Sequence, residues 1–187
     1  MIIDFRKIPS QYEPIMISGK QVEQVNSFKY LGVVIDSKVT WTENVDNIVQ
    51  KLKPRMYCLR KLQSFNVDTK LLQIFYSSIF KSVISFGISG WGGNAKKKEK
   101  DRIDSFIKRA GRIVGAEQEL TETLILHRTK GKTNQILKDT SHPLRNEYDT
   151  RLISRSGRYR MPKIKTTRYK NSFIPRSICQ LNLLHRR

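Results

Sequence analysis

Near Thr40 the hydrophobic period of this chain changes from two to about 3.6, and that switch constrains the fold more than any other feature. Before it, Phe28 to Asp36 reads FKYLGVVID, rich in β-branched and aromatic residues. After it, Val45, Ile48, Val49, Leu52, Met56, Leu59 and Leu62 recur at helical spacing as one apolar stripe. Strands and helices are therefore segregated along the chain, and the expected class is α+β. A small N-terminal antiparallel β hairpin or sheet is followed by an all-α bundle and an irregular basic tail.

Within the β part, Met1 to Phe5 reads as the end of a strand closed by Pro9, and its abrupt opening implies missing upstream sequence. Pro14 to Ser18 and Gln21 to Val25 flank Gly19 and Lys20, which suit a type II′ turn. Phe28 to Ile35 reads as a third strand, with Phe28, Tyr30 and Gly32 on one face and Lys29, Leu31 and Val33 on the other. Thr40 and Glu43 have capping-box spacing, so the first helix is expected to begin there, and Pro54 predicts a kink or two consecutive helices. Asp68 is the expected N-cap of a second helix, apolar over most of its circumference and reaching about Phe86. Gly87 to Asn94 reads as a glycine-rich loop anchored by Trp91. A third helix is expected from about Lys98 to Val114 with Gly115 as its stop. Two short helices over Glu122–Thr129 and Thr133–Lys138 follow, and from Ser141 onward Pro143, Pro162 and Pro175 predict irregular structure.

Charge is the strongest compositional signal. The net charge is +20, but it is not spread evenly. Residues 1–50 hold five Lys or Arg against six acids, 51–115 hold fifteen against four, 116–150 hold five against six, and 151–187 hold eleven and no acid. A polyanion partner, nucleic acid first among them, follows from two such cationic blocks. An acidic membrane surface and a solvated basic tail are the competing readings. No apolar run approaches a membrane span and no signal peptide opens the chain, so a soluble intracellular protein without a membrane partner is expected. Cys58 and Cys179 show no disulfide or zinc spacing.

Catalytic constellations are not visible. Two-metal phosphoryl chemistry needs clustered carboxylates holding ions about 3.5–4 Å apart, yet no two Asp are adjacent here and Asp4, Asp36 and Asp46 are isolated. A non-haem iron site needs two His and a carboxylate, the first His two residues before Asp or Glu in the oxygenase triplet. His127, His142 and His185 are followed by Arg128–Thr129, Pro143–Leu144 and Arg186–Arg187, so no triplet fits. No cofactor or metal is expected and no serine or cysteine is marked as a nucleophile.

The segments MIIDFRK, PIMISGKQVEQVNSFKYLGVVID, MYCLRKLQSF, FYSSIFKSVISFGISGWGG and FIKRAGRIVG, then SHPLRNEY, SGRYRMPKIKTTRYKNSFIP and ICQLN, follow one another in a fixed order. In that order they resemble the C-terminal part of non-LTR (LINE-type) retrotransposon reverse transcriptases. The resemblance implies the end of the palm with a primer-grip-like hairpin over residues 1–40, a helical thumb-like domain over 41–140 and a basic, largely irregular extension over 141–187. It also places the catalytic aspartate hairpin upstream of Met1. The implied product is a truncated enzyme fragment, not itself an enzyme, with sequence-tolerant RNA or DNA binding and with a missing polymerase core as a possible partner. Two other readings stay open: a relic reading frame without function, and a likeness of residues 1–41 to the N-terminal part of an AlkB-type repair dioxygenase.

By the resemblance, Phe28, Lys29, Tyr30 and Gly32 lie near a primer backbone; the alternative is that Phe28 and Tyr30 only pack the sheet on the first helix. Lys51, Lys53, Arg55, Arg60 and Lys61 on the first helix, and Lys108, Arg109 and Arg112 on the third, are candidate phosphate contacts. In the tail, Arg158, Arg160, Lys163, Lys165, Arg168 and Lys170 interleave with Tyr159 and Tyr169, which combines phosphate contacts with surfaces for base stacking.

Overall fold

The apolar run Phe28 to Asp36 folds back on itself instead of running straight. In the structure, a computed structural model that describes residues 1–6 and 12–184, strands β3 (Ser27–Tyr30) and β4 (Val33–Asp36) pair antiparallel with Tyr30 opposite Val33 and Phe28 opposite Ile35. Leu31 and Gly32 form the two-residue turn, with φ of 46° and 87°. Positive φ at both central residues is the I′ pattern that matches strand twist, and Gly32 supplies the half of it that costs nothing. The expected single strand is thus corrected to a hairpin; leucine in the left-handed region is rare enough that sequence reasoning passes over it. Tyr30 and Val33 now share a face.

An earlier, smaller hairpin, β1 (Met16–Ile17) with β2 (Lys20–Gln21), turns through Ser18 and Gly19, one residue before the expected pair. Met1 to Phe5 has no strand structure, and the break expected at Pro9 lies outside the described residues, as does His185.

Helix α1 spans Thr42–Ser64 without interruption. Pro54 does not divide it: the residue is on the exposed side, where a carbonyl deprived of its partner remains solvated. The capping box does not form either. Trp41 occupies the cap position at φ 68°, and the Asp36 carboxylate accepts the Thr40 and Trp41 N–H groups at 2.9 and 3.2 Å. Asp36 therefore ties the end of β4 to the start of α1. Asp68 caps α2 (Thr69–Phe75) as expected, accepting from the Lys70 N–H at 2.8 Å. The same helical run continues through a π-helical segment, Tyr76–Lys81, into α3 (Ser82–Ser85).

The glycine-rich segment carries a short helix, α4 (Ile88–Trp91), launched by Gly87 at φ 60°. Trp91 is buried, and its Nε1–H donates to the Phe86 carbonyl at 3.0 Å. Helix α5 (Lys97–Val114) ends at Gly115 as the sequence predicts. Helix α6 (Thr121–Lys138) is one element rather than two, because Thr129 and Thr133 turn inward and carry the helix through Gly131. Val45, Leu52, Leu59, Tyr76, Phe80, Ile84, Trp91, Ile103 and Ile107 lie in the one core that these helices enclose.

The expected irregular tail is folded. Helix α7 (Arg145–Asp149), hairpin β5 (Leu152–Ile153) with β6 (Arg158–Tyr159), α8 (Thr167–Lys170) and α9 (Phe173–Leu184) build a second small core of Ile136, Tyr148, Ile178 and Leu181 on the far half of α6. Pro175 lies in the first turn of α9, where the missing N–H costs nothing, so this proline starts a helix instead of preventing one. The stretch from Arg160 to Thr166 remains without regular structure. Architecture overall is α+β: small antiparallel strand pairs, then helices.

Candidate nucleic-acid interface

Gly32 at the hairpin tip sits against Phe86 at the end of α3: a Cβ added to Gly32 would lie 3.1 Å from Phe86 Cε1. That close approach sets one wall of a cleft of about 370 Å³. Lys51 and Arg55, one turn apart on α1, form the opposite wall, and Ser82 and Val83 close it from α3. Asn44 lies in its floor. The Asn44 Oδ1 accepts the outward-facing N–H of Val34 at 3.1 Å, which holds β4 to α1, while its buried Nδ2 has no hydrogen-bond partner. A buried donor without a partner is costly, a cost set here against the tie that Asn44 makes between β4 and α1.

Arg55 has two tasks. Its Nε–H donates to the Ile79 carbonyl at 3.1 Å and its Nη1–H to the Lys51 carbonyl at 2.6 Å. Ile79 lies within the π-helical segment, where the i→i+5 pattern disturbs the regular carbonyl ladder, and Arg55 satisfies one of the carbonyls it displaces.

Phe28, Tyr30 and Leu31 are 55%, 59% and 77% exposed, so the hairpin does not pack these side chains on α1. Lys29 is exposed as well. The tip thus presents aromatic and apolar surface beside a cationic cleft.

The other sequence-predicted residues fall elsewhere. Lys53, Arg60 and Lys61 are exposed on α1 outside the cleft, with Lys61 Nζ 5.9 Å from the Tyr57 ring centre. Lys108 and Arg112 line a separate depression of about 430 Å³ at the C-terminal end of α5, and Arg109 lies over the Phe106 ring at 4.4 Å. In the C-terminal unit Arg158, Arg160, Lys163, Lys165 and Lys170 are exposed, and Tyr169 is 39% exposed. Tyr159 is half-buried, edge-on to Tyr148, with its backbone N–H and carbonyl bound by the Asn182 side chain, so it forms part of the second core. Arg168 packs over the Phe5 ring at 4.0 Å and donates to the Lys38 carbonyl at 3.1 Å. It joins the tail to the N-terminal segment.

Sequence reasoning missed Phe86 and Asn44, for which no local signal exists because their neighbours are distant in the chain. It also missed a group around Glu119, whose carboxylate takes Lys81 Nζ at 2.7 Å and His127 Nδ1 at 2.6 Å. The Lys81 hydrogen bond leads in holding the Glu119 carboxyl below its ordinary range. Tyr76 beneath is pushed up to about 12, first by burial and then by the Glu119 charge. Among the described residues no group of three or more His, Cys, Asp or Glu could hold a metal ion, and no helix is long and apolar enough to cross a membrane.

A family profile described as the N-terminal part of alkylated DNA repair protein alkB homolog 8 matches residues 41–82. The likeness expected over residues 1–41 thus falls on α1, α2 and the π-helical segment instead, a span that contains no histidine. Over 173 residues the chain is 27% identical to a protein described as "Probable RNA-directed DNA polymerase from transposon X-element" from Drosophila melanogaster, which covers 88% of this chain. No solved structure matches the chain. The chain is thus related in sequence to a transposon RNA-directed DNA polymerase, of which it spans 19% of the length.

Proposed function

We propose that this chain is the nucleic-acid-holding part of a LINE-type reverse transcriptase, a primer-grip-like hairpin set on a thumb-like helical body, and that it binds RNA or DNA with little sequence preference and without polymerase chemistry of its own. The observation that carries the reading is the cleft lined by Gly32, Lys51, Arg55 and Phe86, which sets two cations beside the exposed hairpin tip. Lys51 and Arg55 supply charge for phosphate oxygens, and Gly32, whose missing side chain leaves room for the Phe86 ring, holds the hairpin tip beside them. Exposed Phe28 and Tyr30 offer flat faces to unpaired bases, where stacking contributes about 1–3 kcal/mol per base. The similarity to a transposon RNA-directed DNA polymerase supports the same partner class.

A polymerase core supplied by further sequence is the protein partner this reading implies. The exposed apolar side chains Ile15, Met16 and Ile17 on the first hairpin fit a surface that such a core would cover. The alkB-type match contains no histidine within its span, and among the described residues no group of three or more His, Cys, Asp or Glu could hold an iron ion.

Binding of fluorescent RNA and DNA oligonucleotides across a salt series tests the proposal. With roughly six to ten phosphates contacted, affinity falls by about 10³ to 10⁵ between 50 and 200 mM salt. Absence of binding at low salt, or binding indifferent to salt, contradicts it.

A further inference from the structure

Gly131 stands in the interior of α6, where glycine is among the least favourable residues for a helix. Neither of the usual reasons applies. Its φ is not positive, and a Cβ added to it would meet nothing within 4 Å. The residue lies instead on the wall of a cleft of about 420 Å³ between α6 and the α3–α4 corner. Arg128 and Lys132 flank it, three residues before and one after, and Ser85, Ser89 and Gln135 add hydroxyl and amide groups. Arg128 Nη2 donates to Ser85 Oγ at 3.1 Å, which fixes the guanidinium across the cleft.

The charge balance of this cleft is uneven. Its one carboxylate, Glu119, is already occupied by Lys81 and His127. Among the described residues neither Arg128 nor Lys132 forms an ion pair with a carboxylate, and Lys132 acts only at longer range, on Asp139. A bare stretch of helix backbone between two such cations, with polar groups opposite, matches a tetrahedral oxyanion: guanidinium and ammonium take its charge, the Ser89 hydroxyl and Gln135 amide its remaining oxygens, and the missing side chain gives it room, while Ser85, which donates to the Ser82 carbonyl, orients the guanidinium.

We propose that this cleft is a binding site for a phosphate-group anion, held by Arg128, Lys132 and Ser89 over Gly131, with Ser85 orienting Arg128. It goes beyond the proposed function, because none of these residues lines the Gly32 cleft. The described lining residues include no Phe, Tyr or Trp to stack a base, and the His127 ring is held by Glu119, so the site recognises the phosphate group itself, whether that belongs to a free compact phosphate or to a nucleic-acid strand.

His127 at the rim reports occupancy. Inorganic pyrophosphate is titrated into the full chain while the His127 ring resonances are followed by NMR, with His142 as the internal reference. The expected result is a saturable shift confined to His127, weakened about tenfold by Arg128→Gln or Lys132→Gln. Gly131→Leu, which fills the exposed cleft wall without touching the core, abolishes the shift while thermal unfolding remains cooperative. A linear, non-saturating drift in the natural chain, or an unchanged shift in Gly131→Leu, overturns the proposal. A single-stranded oligodeoxynucleotide then separates the sources: competition with pyrophosphate at His127 assigns the site to a strand phosphate, and lack of competition assigns it to a free one. Because the pyrophosphate arm contains no nucleic acid, failure of this site and failure of the proposed function are read separately.

Discussion

The helical body and the C-terminal unit are held together differently. In the body, α1, the π-bearing helix, α4, α5 and the first half of α6 enclose large side chains from Val45 to Ile125, with Trp91 at the junction of α4 and α6. In the C-terminal unit the fully buried apolar centre among the described residues is the small set Ile136, Tyr148, Ile178 and Leu181, with Leu137, Tyr159, Phe173 and Ile174 partly buried around it, and specific polar ties add to the attachment. Tyr148 Oη and Ser177 Oγ are 2.7 Å apart in the interior. Arg176 from α9 and Lys100 from α5 share the Glu122 carboxylate at 2.7 and 2.8 Å. Gly93 brings the α4 turn so near Asn171 that an added Cβ would lie 2.1 Å from its carbonyl oxygen. The body owes its stability to volume, the unit to fit. The cationic residues of the C-terminal unit are consequently carried on a docked framework.

Substitutions separate the two regions, beginning with the largest effect. Trp91→Ala removes a buried indole and its hydrogen bond, and a loss of about 3–5 kcal/mol in chemical denaturation is expected for the whole chain. Gly93→Ala forces the close approach apart at a cost of about 1–3 kcal/mol. Its signature is hydrogen exchange that accelerates in α8 and α9 while α1 and α5 remain protected; equal acceleration everywhere would show that the two regions unfold as one. Arg176→Ala breaks a half-exposed ion pair and lowers stability by less than about 1 kcal/mol, measured by the same denaturation curves.

The smallest effect is on pH. The Glu119 carboxyl is held below its ordinary range by Lys81, so the stability it contributes is fully present above the unfolded glutamate range and is lost as pH falls through the lowered value. Glu119→Gln is expected to flatten the acid limb of the stability profile without altering the neutral plateau's shape. An acid limb unchanged in that variant would show that Glu119 contributes nothing to it.

Much of this body is legible in the sequence. The stripe from Val45 to Leu62, the Asp68 cap and the Gly115 stop each follow from local pattern and are found in place. What escapes is decided by contacts distant in sequence or by rare backbone states. The Leu31–Gly32 turn needs a leucine at positive φ, and the start of α1 depends on Asp36 rather than on a capping box. Two short helices are expected over Glu122–Thr129 and Thr133–Lys138, but buried Thr129 and Thr133 belong to one continuous α6. Prolines that signal irregularity are accommodated at an exposed helix position, Pro54, and in a first turn, Pro175. For the site, cations could be named from charge alone, but which of them share a cleft could not. Lys51 and Arg55 meet Phe86 across a surface cleft, whereas Tyr159 and Arg168 are drawn into internal contacts.

The account rests on Lys51 and Arg55 neutralising backbone phosphates at the hairpin cleft. Its most direct test is the slope of log affinity against log salt for a duplex oligonucleotide, compared between the natural chain and the Lys51→Gln, Arg55→Gln double variant. Loss of two phosphate contacts makes the slope shallower by about 1.8. Equal slopes in the two proteins, with the double variant still folding cooperatively, would place the nucleic acid elsewhere and contradict the account.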